Sequence, residues 1–263
     1  MPGPVDPFPI DSVDLVAFDL DDTLAPSKSS LDPRMAQLLA ELLAVVEVCV
    51  ISGGQFGQFE SQLIAGLPAS AVPLFGRLHL LPTCGTQYYR YQDGWKQQYA
   101  ENLSPQQTKL GLAVLEESAK KLGLWESHTW GPILEDRGSQ LTFSALGQNA
   151  PIDEKKAWDP TGAKKESLRA AAATLLPELE VRSGGSTSID VTRKGIDKAY
   201  GMRKLAELTA IPIERMVFVG DRLDEGGNDY PVKATGVRTY AVTGWQDTAD
   251  FVADFIRRTS AGS

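Results

Sequence analysis

The stretch that most constrains this chain is Leu15 to Thr23, LVAFDLDDT. Leu15 to Phe18 form an unbroken apolar run with one β-branched residue and one aromatic, which predicts a strand buried on both faces of a parallel sheet. Asp19, Asp21 and Asp22 follow at once, so the carboxylates fall at the strand's carboxyl end, where open α/β sheets bind ligands. Like charges this close raise one another's pKa unless a cation holds them. A hard divalent ion such as Mg²⁺ is the economical resolution, because carboxylate oxygens are its preferred protein ligands. A solvated acidic turn capping a helix would use the same residues, so the rest of the chain has to decide.

Far downstream the same logic returns. Met216 to Val219 is a second apolar strand, and Gly220-Asp221 deliver a carboxylate to the same edge of the sheet. The turn that follows, RLDEGGND, adds Asp224, Glu225, Asn228 and Asp229. Asp19, Asp21 and Asp221 can therefore converge on one ion despite their separation in the chain. Between these poles, Val46 to Ile51 reads as a buried strand that ends in Ser52, Gly53 and Gly54 before an amphipathic helix from Gln55 to Ala65. That order makes a phosphate cradle, in which helix-start amides and the Ser52 hydroxyl accept an anion; a plain βα turn has the same pattern.

The remaining elements set the fold class. Behind Asp32 as N-cap, Pro33 to Ala44 carries Met35, Leu38, Leu39, Leu42 and Leu43 at helical spacing, the first crossover helix. From about Thr83 the pattern turns hairpin-like, Gln87 to Tyr91 and Trp95 to Tyr99 flanking Asp93-Gly94, and this predicts that the chain has left the first sheet. Ser104 with Gln107 forms a capping box and Pro105 a first helical residue for a helix to Leu122. Strands are expected at Ile133 to Asp136, Gln140 to Leu146, Leu179 to Arg182 and Thr187 to Val191, with a helix at Lys164 to Leu176. The parallel pattern resumes with helix Asp197 to Thr209, strand Val237 to Val242 and helix Asp247 to Arg258. The fold class is α/β, a Rossmann-like parallel-sheet core of residues 1–83 and 191–263 with an α+β unit inserted at 84–190.

Composition narrows the partners. With 34 acidic against 26 basic residues the net charge is -8, which disfavours non-specific attraction to nucleic acid or anionic lipid. Small anionic substrates then need local positive charge or a metal. Cys49 and Cys84 match no metal spacing and, as isolated thiols, suit a reducing cytoplasm. The start, MPGPVDPFPIDS, lacks the basic and apolar regions of a signal peptide, and no apolar run reaches the ~18 residues of a membrane span.

Taken in order, VAFDLDDTL, the strand ending ISGG, Lys198 in RKGIDKAYG, and VGDRLDEGGND resemble the four motifs of the haloacid dehalogenase superfamily. Within it, LEDRGSQLTFSALG, GGSTSIDV, GIDK and GGND each resemble segments of the eukaryotic-type phosphomannomutases, whose inserted unit is a type C2 cap. The resemblance implies that Asp19 attacks phosphorus to form an aspartyl-phosphate, a role open to a carboxylate once a cation shields the phosphate. It implies that Asp21 protonates the leaving oxygen and then activates water, its backbone carbonyl joining Asp19 and Asp221 around Mg²⁺. Ser52, Gly53 and Lys198 would hold the phosphoryl group, with Asn228 and Asp229 in support; Lys194 competes for the lysine role. In the cap, Arg137, Ser188 and Asp190 occupy positions where that family binds its sugar. Trp130 and Gln148 stand where it has two arginines; Gln148 retains the means to bond a sugar hydroxyl, and Trp130 to stack on a ring or pack beneath the cap.

These departures favour water as the final phosphoryl acceptor. The expectation is a Mg²⁺-dependent phosphatase acting on a small, sugar-like phosphate monoester, with interconversion of mannose 1-phosphate and mannose 6-phosphate as the alternative. A non-catalytic phospho-receiver module shares the acidic cluster and lysine, but has about half this length and no cap. A binding-only descendant is the further alternative, set against occupied catalytic positions throughout. No nucleic-acid or membrane partner is expected, and pairing of two copies through the cap is an open option for assembly.

Overall fold

The computed structural model describes residues 12–261; the proline-rich start up to residue 11 lies outside them. The described residues divide into two compact units, one of residues 12–98 and 197–261 and the other Tyr99–Ile196. Each unit has its own apolar cluster. Among the described residues no helix is long and apolar enough to cross a membrane.

The first unit is built on a seven-stranded sheet. Its five parallel strands are β1 (Leu15–Phe18), β2 (Glu47–Ile51), β3 (Leu78–Leu81), β10 (Met216–Gly220) and β11 (Arg238–Ala241). They lie in the order β11-β10-β1-β2-β3. All four residues of β1 are buried, as expected of a central strand covered on both faces. Because β2 and β3 extend to one side of β1 and β10 and β11 to the other, the strand order reverses between β1 and β10. That switch point opens a crevice at the strands' carboxyl ends.

Helix α1 (Pro33–Val45) starts as its sequence dictates, with Asp32 accepting a hydrogen bond from the Arg34 amide at 2.8 Å. Met35, Leu39, Leu42 and Leu43 are buried beneath it, each stabilising the unit by about 1.5–3 kcal/mol relative to exposure. Helix α7 (Trp245–Ala261) packs on α1. Helix α2 (Phe56–Gln62) is shorter than the periodicity predicts, because the chain tightens into a 3₁₀ turn at Ile64–Gly66.

The hairpin corrects the sequence reading. β4 (Gln87–Tyr91) pairs antiparallel with β3, and β5 (Trp95–Ala100) follows, so both extend the first sheet. The alternation of a hairpin says that two strands pair and nothing about which sheet they join. Phe56 stacks on Tyr89 at 3.8 Å and Phe75 meets Tyr91 and Trp95, contacts that hold the hairpin to the first unit. The second unit therefore begins at Tyr99, later than the expected 84, and runs to Ile196. β3 itself carries little sequence signal, since LHLL has a histidine in a run of only four residues.

In the second unit, β6 (Leu134–Asp136), β7 (Gln140–Ser144), β8 (Leu179–Ser183) and β9 (Ser188–Arg193) form an antiparallel sheet in the order β6-β7-β9-β8. Helices α3 (Pro105–Lys121) and α5 (Ala163–Leu175) pack on it, and a short α4 (Ile152–Trp158), absent from the sequence reading, lies between β7 and α5. The capping box forms, Ser104 Oγ accepting from the Gln107 amide and Gln107 returning to the Ser104 amide. Leu141, Phe143, Val181, Ile189 and Val191 face the apolar cluster, so the alternate residues Gln140, Thr142, Ser144, Ser188 and Asp190 line the opposite face.

Candidate active site

The parallel ladder places the acidic residues. The Asp19 amide donates to the Val219 carbonyl at 3.0 Å, carrying the β1–β10 pairing one residue past Phe18. Asp19 and Asp221 then leave adjacent strands at the switch point. Thr23 donates to Asp221 Oδ1 at 3.2 Å, fixing that carboxylate. Asp229 returns from the following turn, its Oδ2 accepting the Arg222 amide at 3.0 Å. Gly220 makes room for it: a Cβ there would stand 2.4 Å from Asp229 Oδ2.

Carboxylate oxygens of Asp19, Asp221 and Asp229 all lie within 4.8 Å of one another. Lys198, the first residue of α6 (Lys198–Thr209), enters this cluster, its Nζ 2.5 Å from Asp19 Oδ1 and 2.5 Å from Asp229 Oδ1. Asp197 caps the helix through the Tyr200 amide, which aims Lys198 inward. Burial by itself would favour a neutral amine; the Asp19 and Asp229 charges reverse that and push the lysine pKa well above its ordinary value. Lys194 is exposed, whereas Lys198 is buried against Asp19 and Asp229.

Three carboxylates against one ammonium leave a buried excess of negative charge. Asp19 is 4% exposed and Asp229 0%. Burial, with the Asp229 charge beside it, pushes the Asp19 pKa up despite Lys198, and burial with Asp229 raises that of Asp221. The donor set is all hard oxygen. A divalent cation such as Mg²⁺ fits it chemically and would offset the excess.

Asp21 points elsewhere. Its carboxylate accepts from the Lys28 amide at 2.8 Å, Gln58 Nε2 at 2.8 Å and Gln62 Nε2 at 3.0 Å. Burial would raise its pKa, but the Lys28 charge and amide and the two glutamine amides outweigh that and hold it below the usual carboxylate value. The expected role for Asp21 in metal binding was through its backbone carbonyl, and its carboxylate is not in the three-residue cluster.

Ser52 is buried at the end of β2, its Oγ accepting the Gly54 amide at 3.1 Å. The loop that follows β3 braces this turn. Thr83 donates its amide to the Gly54 carbonyl at 3.0 Å and Cys84 to the Ser52 carbonyl at 2.9 Å. Thr83, Cys84 and Gly85 have φ of 49°, 55° and 87°, and left-handed backbone at a β-branched threonine costs on the order of 1–3 kcal/mol. The strain is held because Gly85 abuts α6, where a Cβ on it would fall 2.6 Å from Gly201 Cα.

The second-unit candidates share the polar face of its sheet. Asp190 Oδ1 accepts from Gln140 at 2.9 Å and Thr142 at 2.7 Å. Gln148 donates to Ser144 Oγ at 2.5 Å, and Ser144 lies 3.3 Å from Ser188. Arg137 pairs with Glu135 at 2.7 Å. Trp130 is 41% exposed.

The residues that sequence reasoning undervalued are Asp229, Gln58, Gln62 and Lys28. Asp229 had a signal, a second acidic residue in the Gly-Gly-Asn-Asp turn. Gln58 and Gln62 are four apart on one helix face, but uncharged amides give no sign of what they bond.

The eukaryotic phosphomannomutase family profile matches residues 35–258, a range that begins after Asp19 and Asp21. The chain is 27% identical over 252 residues to the phosphomannomutase of Dendrobium officinale, covering 90% of this chain and 91% of that protein. It is 26% identical over 226 residues to human phosphomannomutase 1, covering 84% and 83%. Among solved structures, Plasmodium falciparum IMP-nucleotidase superposes with a TM-score of 0.71 at 15% identity over 95% of this chain and 70% of that one. A haloacid dehalogenase-like hydrolase from Bacteroides thetaiotaomicron gives a TM-score of 0.62 at 16% identity over 92% and 99%. At such identities the structures speak for the fold alone, the haloacid dehalogenase fold expected from the motifs.

Proposed function

This chain belongs to the eukaryotic phosphomannomutase family, an enzyme family of the haloacid dehalogenase superfamily, and from that premise we propose that it moves a phosphoryl group between positions of a hexose phosphate by way of Asp19. The observation that carries this reading is that the family match, residues 35–258, spans the second unit as well as most of the first. It supports the mutase alternative over the phosphatase expected from the sequence.

In the first half-reaction, an Asp19 carboxylate oxygen attacks phosphorus and the bond from phosphorus to the sugar oxygen breaks. The departing oxygen takes a proton from Asp21, leaving an aspartyl-phosphate and a free hydroxyl. In the second, another sugar hydroxyl gives its proton to Asp21 and attacks the phosphorus, returning Asp19 to its carboxylate. Lys198, bonded to Asp19, would neutralise charge there and on the arriving group, and Ser52 would hold a phosphoryl oxygen with the amides of its turn. Asp19 and Asp221, with the Asp21 carbonyl and Asp229 behind them, would hold Mg²⁺, which when bound supplies the positive charge that lets an anionic carboxylate approach an anionic phosphate. To Arg137, Gln148, Ser188 and Asp190 we assign recognition of the sugar.

A second reading, hydrolysis, is favoured by one observation: positions 130 and 148 hold tryptophan and glutamine where bidentate arginines would best grip a distal phosphate. Product analysis separates the two. With mannose 1-phosphate, Mg²⁺ and a hexose bisphosphate activator, the first reading gives mannose 6-phosphate and the second gives inorganic phosphate.

A further inference from the structure

The first unit contains a closed hydrogen-bond network that phosphoryl transfer does not by itself require. Gln58 Nε2 donates to Asp21 Oδ2 at 2.8 Å and to Gln62 Oε1 at 2.9 Å. Gln62 Nε2 donates to Asp21 Oδ1 at 3.0 Å, and the Lys28 amide to the same oxygen at 2.8 Å. Lys28 Nζ closes the circuit on Gln58 Oε1 at 2.8 Å. Each amide is fixed in orientation by a donor on one side and an acceptor on the other. Gln62 is 2% exposed, and the two glutamines stand one turn apart on α2, so they face Asp21 together. Asp21 Oδ1 thus accepts two hydrogen bonds and Oδ2 one, and all but the Lys28 amide come from α2.

A carboxylate acts as general base through a free lone pair aimed at the proton it will take. Here the oxygens of Asp21 are aimed at α2. We propose that Gln58 and Gln62 are positioning residues that form a latch on Asp21, holding it aside while no sugar hydroxyl is in place, so that water is not activated and the aspartyl-phosphate on Asp19 is prolonged; rotation off the latch then frees Asp21 for the sugar. This inference rests on the phosphoryl-transfer reading above. The suppressed step is defined: water oxygen bonds to phosphorus, its proton passes to Asp21, the bond from phosphorus to Asp19 breaks, and inorganic phosphate leaves. A mutase needs that step slow, since its intermediate has to survive until a sugar hydroxyl accepts the group. Opening the latch requires only rotation of Asp21 away from α2.

The test uses p-nitrophenyl phosphate with Mg²⁺ on the full-length protein. Its leaving group departs as p-nitrophenolate without needing a proton, so formation of the aspartyl-phosphate does not call on Asp21, whereas its hydrolysis does. Stopped-flow release of p-nitrophenolate should show a burst followed by a slow steady rate. The latch predicts that Gln62→Glu, which is isosteric but replaces a donor with a carboxylate, raises the ratio of steady rate to burst rate. The same is expected of Gln58→Leu. The rise should be at least about tenfold, because a positioned base is worth on the order of 10²-fold or more. Thermal melts of both variants establish that they fold. An unchanged or lower ratio in folded variants overturns the latch, since loss of mere structural support would not speed hydrolysis. A wild-type protein with no burst, its steady rate as fast as the first turnover, overturns it too. Absence of any p-nitrophenolate release from the wild type overturns the phosphoryl-transfer reading itself, and the latch with it.

Discussion

Lys198 Nζ lies 2.5 Å from Asp19 Oδ1, although the two residues are 179 positions apart in sequence. The pairing joins the end of the central strand to the first residue of the helix that resumes the first unit after Ile196. Asp19 and Lys198 are therefore positioned by packing of the same unit, and Asp229 takes the lysine's other side.

Lys198→Met should destabilise the metal-free protein and remove activity. It leaves Asp19 and Asp229 buried without their cation, a loss of about 3–5 kcal/mol in comparable buried pairs. Calorimetry should show a lower Tm without metal, and added Mg²⁺ should raise the Tm of the variant by more than that of the wild type. An unchanged metal-free Tm would contradict the buried pairing.

Asp229→Asn keeps the shape of the side chain but removes one of three clustered charges. Loss of such a supporting carboxylate commonly costs 10- to 100-fold in metal affinity. Titrating activity against Mg²⁺ should show a shift of that order in the concentration required, whereas Asn228→Ala should leave the curve near its wild-type position.

Arg137→Ala should raise KM for a hexose phosphate while leaving turnover of a small aryl phosphate nearly unchanged. If its pairing with Glu135 serves the fold of the second unit instead, the two substrates will suffer equally and Tm will drop. Steady-state kinetics on both substrates, with a melt alongside, distinguish these outcomes.

A pH dependence follows from the opposite end of the first sheet. His79 is 1% exposed, with Nε2 3.0 Å from Glu47 and Nδ1 2.8 Å from the Tyr88 hydroxyl. Burial lowers its pKa and Arg90 adds to that, against the pull of Glu47. The unfolded chain therefore binds a proton near pH 6.5 that the folded chain refuses, so stability is lost as pH falls through 6.5 toward the lower folded value. Melts at pH 7.5 and 5.5 should show a lower Tm at the acid end, and His79→Gln should flatten that slope. The other histidine, His128, is exposed.

Much of this was legible in the chain itself. Apolar strands that end in aspartate gave β1 and β10, and the capping residues at Asp32 and Ser104 located two helices, because those signals are local. The hairpin's membership of the first sheet was not legible, since it depends on the ring contacts of Phe56 and Phe75 with residues far along the chain. The site divides the same way. Asp19, Asp221 and Lys198 announce themselves by charge at element ends, whereas the hold on Asp21 is made by neutral amides whose partners emerge only when α2 is folded against the loop after β1.

The central claim is that Asp19 passes a phosphoryl group from one hydroxyl of a hexose to another. It is tested most directly by incubating the protein with mannose 1-phosphate, Mg²⁺ and a hexose bisphosphate activator, and following all phosphorus species by ³¹P NMR, in parallel with Asp19→Asn. Mannose 6-phosphate should accumulate with inorganic phosphate as the minor product, and the variant should lose at least ~10³-fold in rate. Inorganic phosphate as the main product, or an Asp19→Asn protein that turns over at the wild-type rate, would contradict the account.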